Sequence, residues 1–152
     1  MRIATWNVNS VGARLERLLA WIELNQPDVL ALQELKCTTE AFPYMAVQAL
    51  GYDVEALGTG RWNGVALLSK IGITDVTRGL IDQPLFEDVA EPRAIGATCG
   101  GVRVWSIYVP NGRELDHDHY KYKLSWLGRL RQHLDAICTP ADDVVVCGDF
   151  NI

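Results

Sequence analysis

No stretch of this 152-residue chain approaches the ~20 consecutive apolar residues that carry a helix across a bilayer, so neither a helical span nor a membrane partner is expected. The opening residues, Met1-Arg2-Ile3-Ala4-Thr5-Trp6-Asn7, have neither the apolar segment nor the small-residue cleavage site of a secretory leader. The expected location is therefore cytoplasmic. Cysteine is scarce: Cys37, Cys99, Cys138 and Cys147 show no C-x-x-C spacing. That pattern speaks against a zinc site or a disulfide framework and for reduced thiols acting as small core hydrophobes. A basic excess is missing too. Lys and Arg total 14 against 19 Asp and Glu, a net charge of −5. This weighs against a simple nucleic-acid binder. It leaves room for an enzyme with a local basic patch and a bound divalent cation, whose own charge changes the field around it. There is no internal repeat, low-complexity tract or linker. What is present is ordinary for a globular protein, 49% hydrophobic and 22% charged residues, in a length that fits a single domain with a sizeable core.

The periodicity alternates between two and 3.6. Arg2 to Val8 reads as a first strand, ending in the polar cluster Asn7-Val8-Asn9-Ser10. Leu15, Leu18, Leu19 and Ile22 form one apolar stripe, which predicts a helix over 13–25 that Pro27 ends. Val29-Leu30-Ala31-Leu32 is a second strand leading into Gln33-Glu34; strand, helix, strand at this spacing suggests a parallel pair. If the pair is parallel, Asn7 and Glu34 emerge at the same edge. A second helix is expected over 39–50, with Pro43 early and Gly51 past its end. Strands follow at 53–57 and 65–68 around a turn carrying Arg61, Trp62 and Asn63. Residues 71–91 are the least readable. Arg93–Cys99 and Val102–Val109, joined by Gly100-Gly101, read as a hairpin. A third helix is expected over 120–136 with Leu124, Leu127, Leu130, Leu134 and Ile137 as its core stripe and His133 on a charged face. The apolar run Val144-Val145-Val146-Cys147 reads as a strand buried on both faces. The order predicts an α/β layered fold with a mixed sheet.

The last strand releases Asp149 and Asn151, two positions apart and so on one side if the chain stays extended. By itself Gly148-Asp149-Phe150-Asn151 reads more readily as an Asp-x-Asn turn, since Asp and Asn are common turn residues. Three upstream strands, however, also end in polar, ligand-type residues. Asn7, Glu34, Tyr108, Asn111, Asp149 and Asn151 together make an oxygen-rich set without thiolates or clustered imidazoles. Hard oxygen donors suit Mg²⁺, usually held by one or two carboxylates together with substrate phosphate. The residues therefore suggest a metal-assisted phosphoesterase.

Thr5-Trp6-Asn7-Val8-Asn9, Leu32-Gln33-Glu34, Asn63-Gly64-Val65-Ala66, Tyr108-Val109-Pro110-Asn111-Gly112 and Gly148-Asp149-Phe150-Asn151-Ile152 resemble, in order, the motifs of exonuclease III-type apurinic/apyrimidinic endonucleases of the endonuclease/exonuclease/phosphatase superfamily. None is distinctive alone; the ordered set is. The resemblance implies a four-layer α/β sandwich and a Mg²⁺-dependent (Mn²⁺ is the alternative ion) DNA-repair phosphodiesterase. It would cut at abasic sites, with 3′–5′ exonuclease and 3′-phosphatase activity. Its partner would be double-stranded DNA with abasic sites or 3′ ends, and it would act as a monomer when complete. The resemblance assigns the metal site to Asn7 and Glu34, with Asp149 and Asn151 joining it. Glu34 would bind the ion directly, and Asn7 would stand close by or one water away. Catalysis falls to Tyr108, Asp149 and Asn151, with Asp149 orienting or deprotonating the attacking water. Asn111, Asn151, Arg93 and Lys123 become phosphate or DNA contacts, and Trp62 and Asn63 fall on a DNA-facing turn.

The family continues well beyond the last motif and supplies a further Asp and an Asp-His pair that have no counterpart here. The chain is thus expected to be the N-terminal portion of one such domain and to lack activity as given. It is also expected to leave a bare sheet face carrying Ile107, Val109, Val144 and Val146. The competing readings are a non-catalytic fragment that binds metal or nucleic acid, and a superfamily phosphodiesterase acting on RNA or phospholipid.

Overall fold

The computed structural model describes residues 1–152. The chain begins with β1 (Ile3–Asn7), α1 (Val11–Asn25) and β2 (Val29–Gln33). The Ser10 hydroxyl caps α1 by accepting from the Ala13 amide at 3.2 Å, and a left-handed Gln26 ends it just before Pro27. β1 and β2 are parallel, with Asn7 opposite Gln33, so Asn7 and Glu34 do leave the sheet at one edge.

The second helix, α2 (Tyr44–Gln48), is much shorter than the sequence predicts. The residues ahead of it are committed elsewhere: the Thr39 amide and hydroxyl both donate to the Gly58 carbonyl, and Thr38 bridges Thr59. Phe42, preceding Pro43, is also kept out of the helical region by the proline ring. β3 (Asp53–Leu57) and β4 (Val65–Ser69) complete a four-stranded sheet of order β1-β2-β4-β3.

β5 (Thr74–Arg78), inside the least readable stretch, pairs irregularly with β6 (Ala94–Cys99). β6 turns into β7 (Val102–Tyr108) through two left-handed glycines, Gly100 and Gly101, as a two-residue hairpin loop requires. The helix α3 (Asp118–Ile137) then leads to β8 (Val144–Asp149), parallel to β7. The second sheet has the order β5-β6-β7-β8.

Three apolar clusters lie between four layers. Leu18 and Ile22 of α1 cover Leu30, Leu32 and Leu68 on one face of the first sheet. Ala31 and Leu67 meet Ile95 and Val104 between the sheets. Trp126 and Leu130 of α3 cover Trp105, Ile107 and Val109 on the far face of the second sheet. The order is helix, sheet, sheet, helix, the four-layer sandwich expected.

Three expectations need correction. Ile107 and Val109 are buried under α3, while Val144 and Val146 are half-buried against it, so that sheet face is not bare. β8 is half-buried throughout because it is the outer strand of its sheet, not a central one. The buried face of α3 is His119, Tyr122, Trp126, Leu130 and His133, whereas Leu124 and Ile137 are exposed. Large aromatic rings bury more area than leucines and turn that face inward. His133 accordingly lies in the core, accepting from the Ile81 amide at 3.0 Å. No helix is long and apolar enough to cross a membrane.

Candidate active site

The two sheets present their strand ends side by side, and each contributes one carboxylate. Glu34 follows β2 of the first sheet and Asp149 ends β8 of the second. Asn7, at the end of β1, joins them: its Nδ2 donates to Glu34 Oε1 at 2.9 Å and to Asp149 Oδ2 at 2.7 Å. Its Oδ1 accepts the Asn9 amide at 3.0 Å. In this arrangement Asn7 turns a donor, not an oxygen, to the carboxylates. Tyr108, ending β7, donates its hydroxyl to Glu34 Oε1 at 2.7 Å across the sheet interface.

The loop after β2 is strained locally and held firmly. Glu34 and Lys36 are both left-handed, φ 54° and 52°, a conformation that persists at non-glycine residues only where the surroundings enforce it. The enforcement is backbone pairing: the Ser10 amide donates to the Glu34 carbonyl at 2.8 Å, and the Leu35 and Lys36 amides donate to Gly64 and Asn63 at 3.2 and 3.0 Å.

One residue deeper, a buried polar link ties the sheets. Gln33 Nε2 donates to Thr5 Oγ1 and Ser106 Oγ, both at 3.0 Å, and the Ser106 hydroxyl donates to the Leu32 carbonyl at 2.9 Å.

The chain does not stay extended after Asp149: Asn151 is left-handed, φ 53°, and the segment forms the Asp-x-Asn turn. The Asn151 amide donates to Asp149 Oδ1 at 2.9 Å, and Asn151 Nδ2 donates to the Val109 carbonyl at 2.8 Å. Asn111 is exposed and leans its Nδ2 toward Asn151 Oδ1 at 3.4 Å. Lys123 reaches over from α3 to the Asn151 carbonyl at 2.5 Å.

Arg93 is placed differently from the other basic residue. It is only 3% exposed. It pairs with Glu91 at 2.6 Å, donates to the Tyr108 carbonyl at 3.2 Å and lies over the Tyr108 ring at 4.8 Å. As placed, it braces Tyr108 from behind. Trp62 is largely exposed beneath Arg61, and Asn63 donates to Glu91 at 3.1 Å.

The electrostatics follow from these contacts. Burial works to raise the Glu34 carboxyl, but hydrogen bonds from Asn7 and Tyr108 and the nearby Lys36 ammonium hold it below the usual glutamate range. Burial, then the Glu34 carboxylate, push the Tyr108 phenol well above its ordinary value. Tyr108 is thus a protonated donor, not a phenolate. Burial also opposes ionisation of Glu91, and the Arg93 guanidinium, together with hydrogen bonds from Tyr122 and Asn63, holds its carboxyl below the usual glutamate range.

Reading strand ends misses Lys36, 3.4 Å from Glu34 and hydrogen-bonded to Asn9 Oδ1 at 2.5 Å, although a basic residue two positions past Glu34 was visible. Glu91 gave no such signal, because its pairing with the buried Arg93 is set by the fold.

The sequence profile described as the Endonuclease/Exonuclease/phosphatase family matches residues 4–152. Over its whole length the chain is 34% identical to exodeoxyribonuclease III of Haemophilus influenzae, of which it covers 58%. It is 30% identical to DNA repair nuclease APEX1 of Danio rerio, of which it covers 49%. Among solved structures it resembles the 3′–5′ exonuclease NExo from Neisseria meningitidis, with a TM-score of 0.92 at 40% identity. It also resembles an AP endonuclease from Archaeoglobus fulgidus, with a TM-score of 0.93 at 39% identity. In both cases all of this chain and 58% of the other are covered. The chain thus spans about half to three-fifths of the length of these relatives.

Proposed function

The chain belongs to the endonuclease/exonuclease/phosphatase family, and from that premise we propose that it forms the phosphodiester-hydrolysing edge of a DNA-repair nuclease. The observation that carries this reading is the meeting of Glu34 and Asp149, from different sheets, on the single amide of Asn7. The relatives support DNA as the substrate class: an exodeoxyribonuclease III, an AP endonuclease, and a Neisseria 3′ phosphatase whose structure holds a product DNA hairpin. The proposed reactions are cleavage beside abasic sites, 3′–5′ exonuclease and 3′-phosphatase activity on double-stranded DNA. The proposed setting is cytoplasmic, with the complete protein a monomer.

The donor set fits a hard divalent cation. Two carboxylates and surrounding amides converge with no thiolate or imidazole among them, which favours Mg²⁺ or Mn²⁺ over zinc. Glu34 would hold the ion, with Asn7 orienting the carboxylate and Asp149 and Asn151 alongside. When bound, the cation would neutralise charge on the phosphate.

The chain's own residues supply the rest. Asp149 accepts one hydrogen bond at each oxygen and keeps lone pairs for a water, whose proton it takes as the new P–O bond forms. The leaving oxygen departs on the opposite side. Tyr108 keeps its proton and fixes Glu34, so it positions and donates and does not attack. Asn151, Asn111 and Lys123 line the side where phosphate oxygens would rest. Groups acting as one catalytic unit fail together, so residues 1–152 alone are expected to be inactive.

The test uses the full-length gene product and an abasic-site duplex. Asp149→Asn should lower kcat by roughly 10²–10⁴-fold with KM changed far less. Glu34→Gln should raise the Mg²⁺ concentration needed for half-maximal rate. Single-turnover cleavage by Asp149→Asn at the parent rate would overturn the assignment.

A further inference from the structure

Asn111 is exposed on a loop without regular structure, between the end of β7 and the start of α3. A side chain that is to meet phosphate must be held by something, and its own contacts are slight. Asn111 Nδ2 reaches Asn151 only at 3.4 Å, while its Oδ1 accepts the Arg113 amide at 2.8 Å. The firm contact is on the backbone: His119 Nδ1 lies 2.5 Å from the Asn111 carbonyl oxygen. A carbonyl only accepts, so Nδ1 carries the proton.

The ring that makes this bond cannot easily swing away. His119 is 6% exposed, edge-on to Phe86 at 4.6 Å and to Tyr122 at 5.7 Å. Its backbone amide is tied to His117 Nδ1, the cap of α3, at 3.0 Å. The loop is also close against the helix, since a Cβ on Gly112 would come within 2.9 Å of the Tyr120 ring.

We propose that His119 is a positioning residue: by donating from Nδ1 to the Asn111 carbonyl, it anchors the loop to α3 and aims the Asn111 amide at the substrate phosphate. The proposal rests on the reading of Asn111 as a phosphate contact.

Two substitutions in the full-length protein separate the hydrogen bond from mere packing. His119→Phe keeps a ring against Phe86 and Tyr122 but has no donor. His119→Asn loses the ring but places an amide nitrogen the same number of bonds from Cα as Nδ1. The first readout needs no activity: hydrogen exchange of the Arg113 amide, which is bonded to Asn111 Oδ1. His119→Phe should speed that exchange roughly tenfold as the loop opens locally. It should also lower kcat/KM on an abasic-site duplex about 10–100-fold through misplacement of Asn111. His119→Asn should restore both toward the parent. Unchanged Arg113 exchange in His119→Phe overturns the anchoring. Faster exchange with unchanged kcat/KM overturns the link to substrate. Impairment in His119→Asn with a silent His119→Phe shows a packing role and also overturns the proposal. A parent with no phosphodiesterase activity would refute the proposed function, and the exchange readout would then decide the anchoring alone.

Discussion

One carboxamide lets two like charges share a small volume. Asn7 has two amide hydrogens and gives one to each carboxylate, which offsets part of the repulsion between them. The arrangement works only if Asp149 arrives at the right height, and the residue before it sets that height. Gly148 sits at φ 148°, and a Cβ there would stand 1.9 Å from the Ile107 carbonyl oxygen of the neighbouring strand. Backbone, not a flexible side chain, is in the way. Gly148→Ala should therefore push β8 off β7, destabilise the fold by on the order of 3 kcal/mol and pull Asp149 from Asn7; urea denaturation of parent and variant measures this. Asn7 and Glu34 were legible in the sequence because a parallel β1–β2 pair brings both strand ends to one edge, and Asp149 because a further apolar strand ends in it. Lys36 and Arg93 were not correctly placed by that logic. Lys36 lies beyond a left-handed turn, where alternation no longer predicts direction. Arg93 looks like a surface cation until Glu91 and two tyrosine rings close over it.

At the scale of elements, α3 shows where periodicity stops being informative. Its length was readable and its orientation was not, since the leucines give one stripe and the aromatics another. Burial selected the aromatics, with two histidines among them. That choice has a consequence in pH. Burial, with a smaller contribution from Arg103, lowers the pKa of His133 below the ordinary histidine value. The native ring stays neutral while the unfolded chain takes up a proton, so the unfolded state binds more protons. Stability should therefore fall as pH drops through the ordinary histidine range, near 6.5, and go on falling until the lowered native value is passed. His133→Asn keeps an acceptor for the Ile81 amide but cannot titrate. Urea-derived stability measured from pH 7.5 to 5 should flatten in that variant relative to the parent. Parallel slopes would assign the loss to other groups. Acid acts on the site differently: Glu34 and Glu91 lie below the usual carboxylate range, so their contribution is lost only under more acidic conditions, as pH falls through their native values.

At the scale of the whole molecule, the alternation of strands and helices announced layers but not how strands divide between sheets. β2 pairs with β4 and leaves β3 outside, a choice made by tertiary packing and not by sequence neighbourhood. The division leaves both sheets ending on one side. β1 is the outer strand of the first, β8 the outer strand of the second, and the two lie against each other. Val145 and Cys147 of β8 face between the sheets and Val144 and Val146 face α3, all half-buried, with the strand's outer edge open for pairing. An apolar, β-branched strand with a free edge is a template for another chain. The 152 residues expressed by themselves should therefore self-associate as concentration rises, even though their three apolar clusters are internally covered. Sedimentation velocity over a concentration series reads this directly. Val145→Lys places an inward-facing charge on that edge strand and should shift the distribution toward monomer, provided circular dichroism shows the fold retained. A parent that stays monomeric at the highest concentration would mean that the edge protects itself. A variant that associates as strongly as the parent would place the contact on another surface.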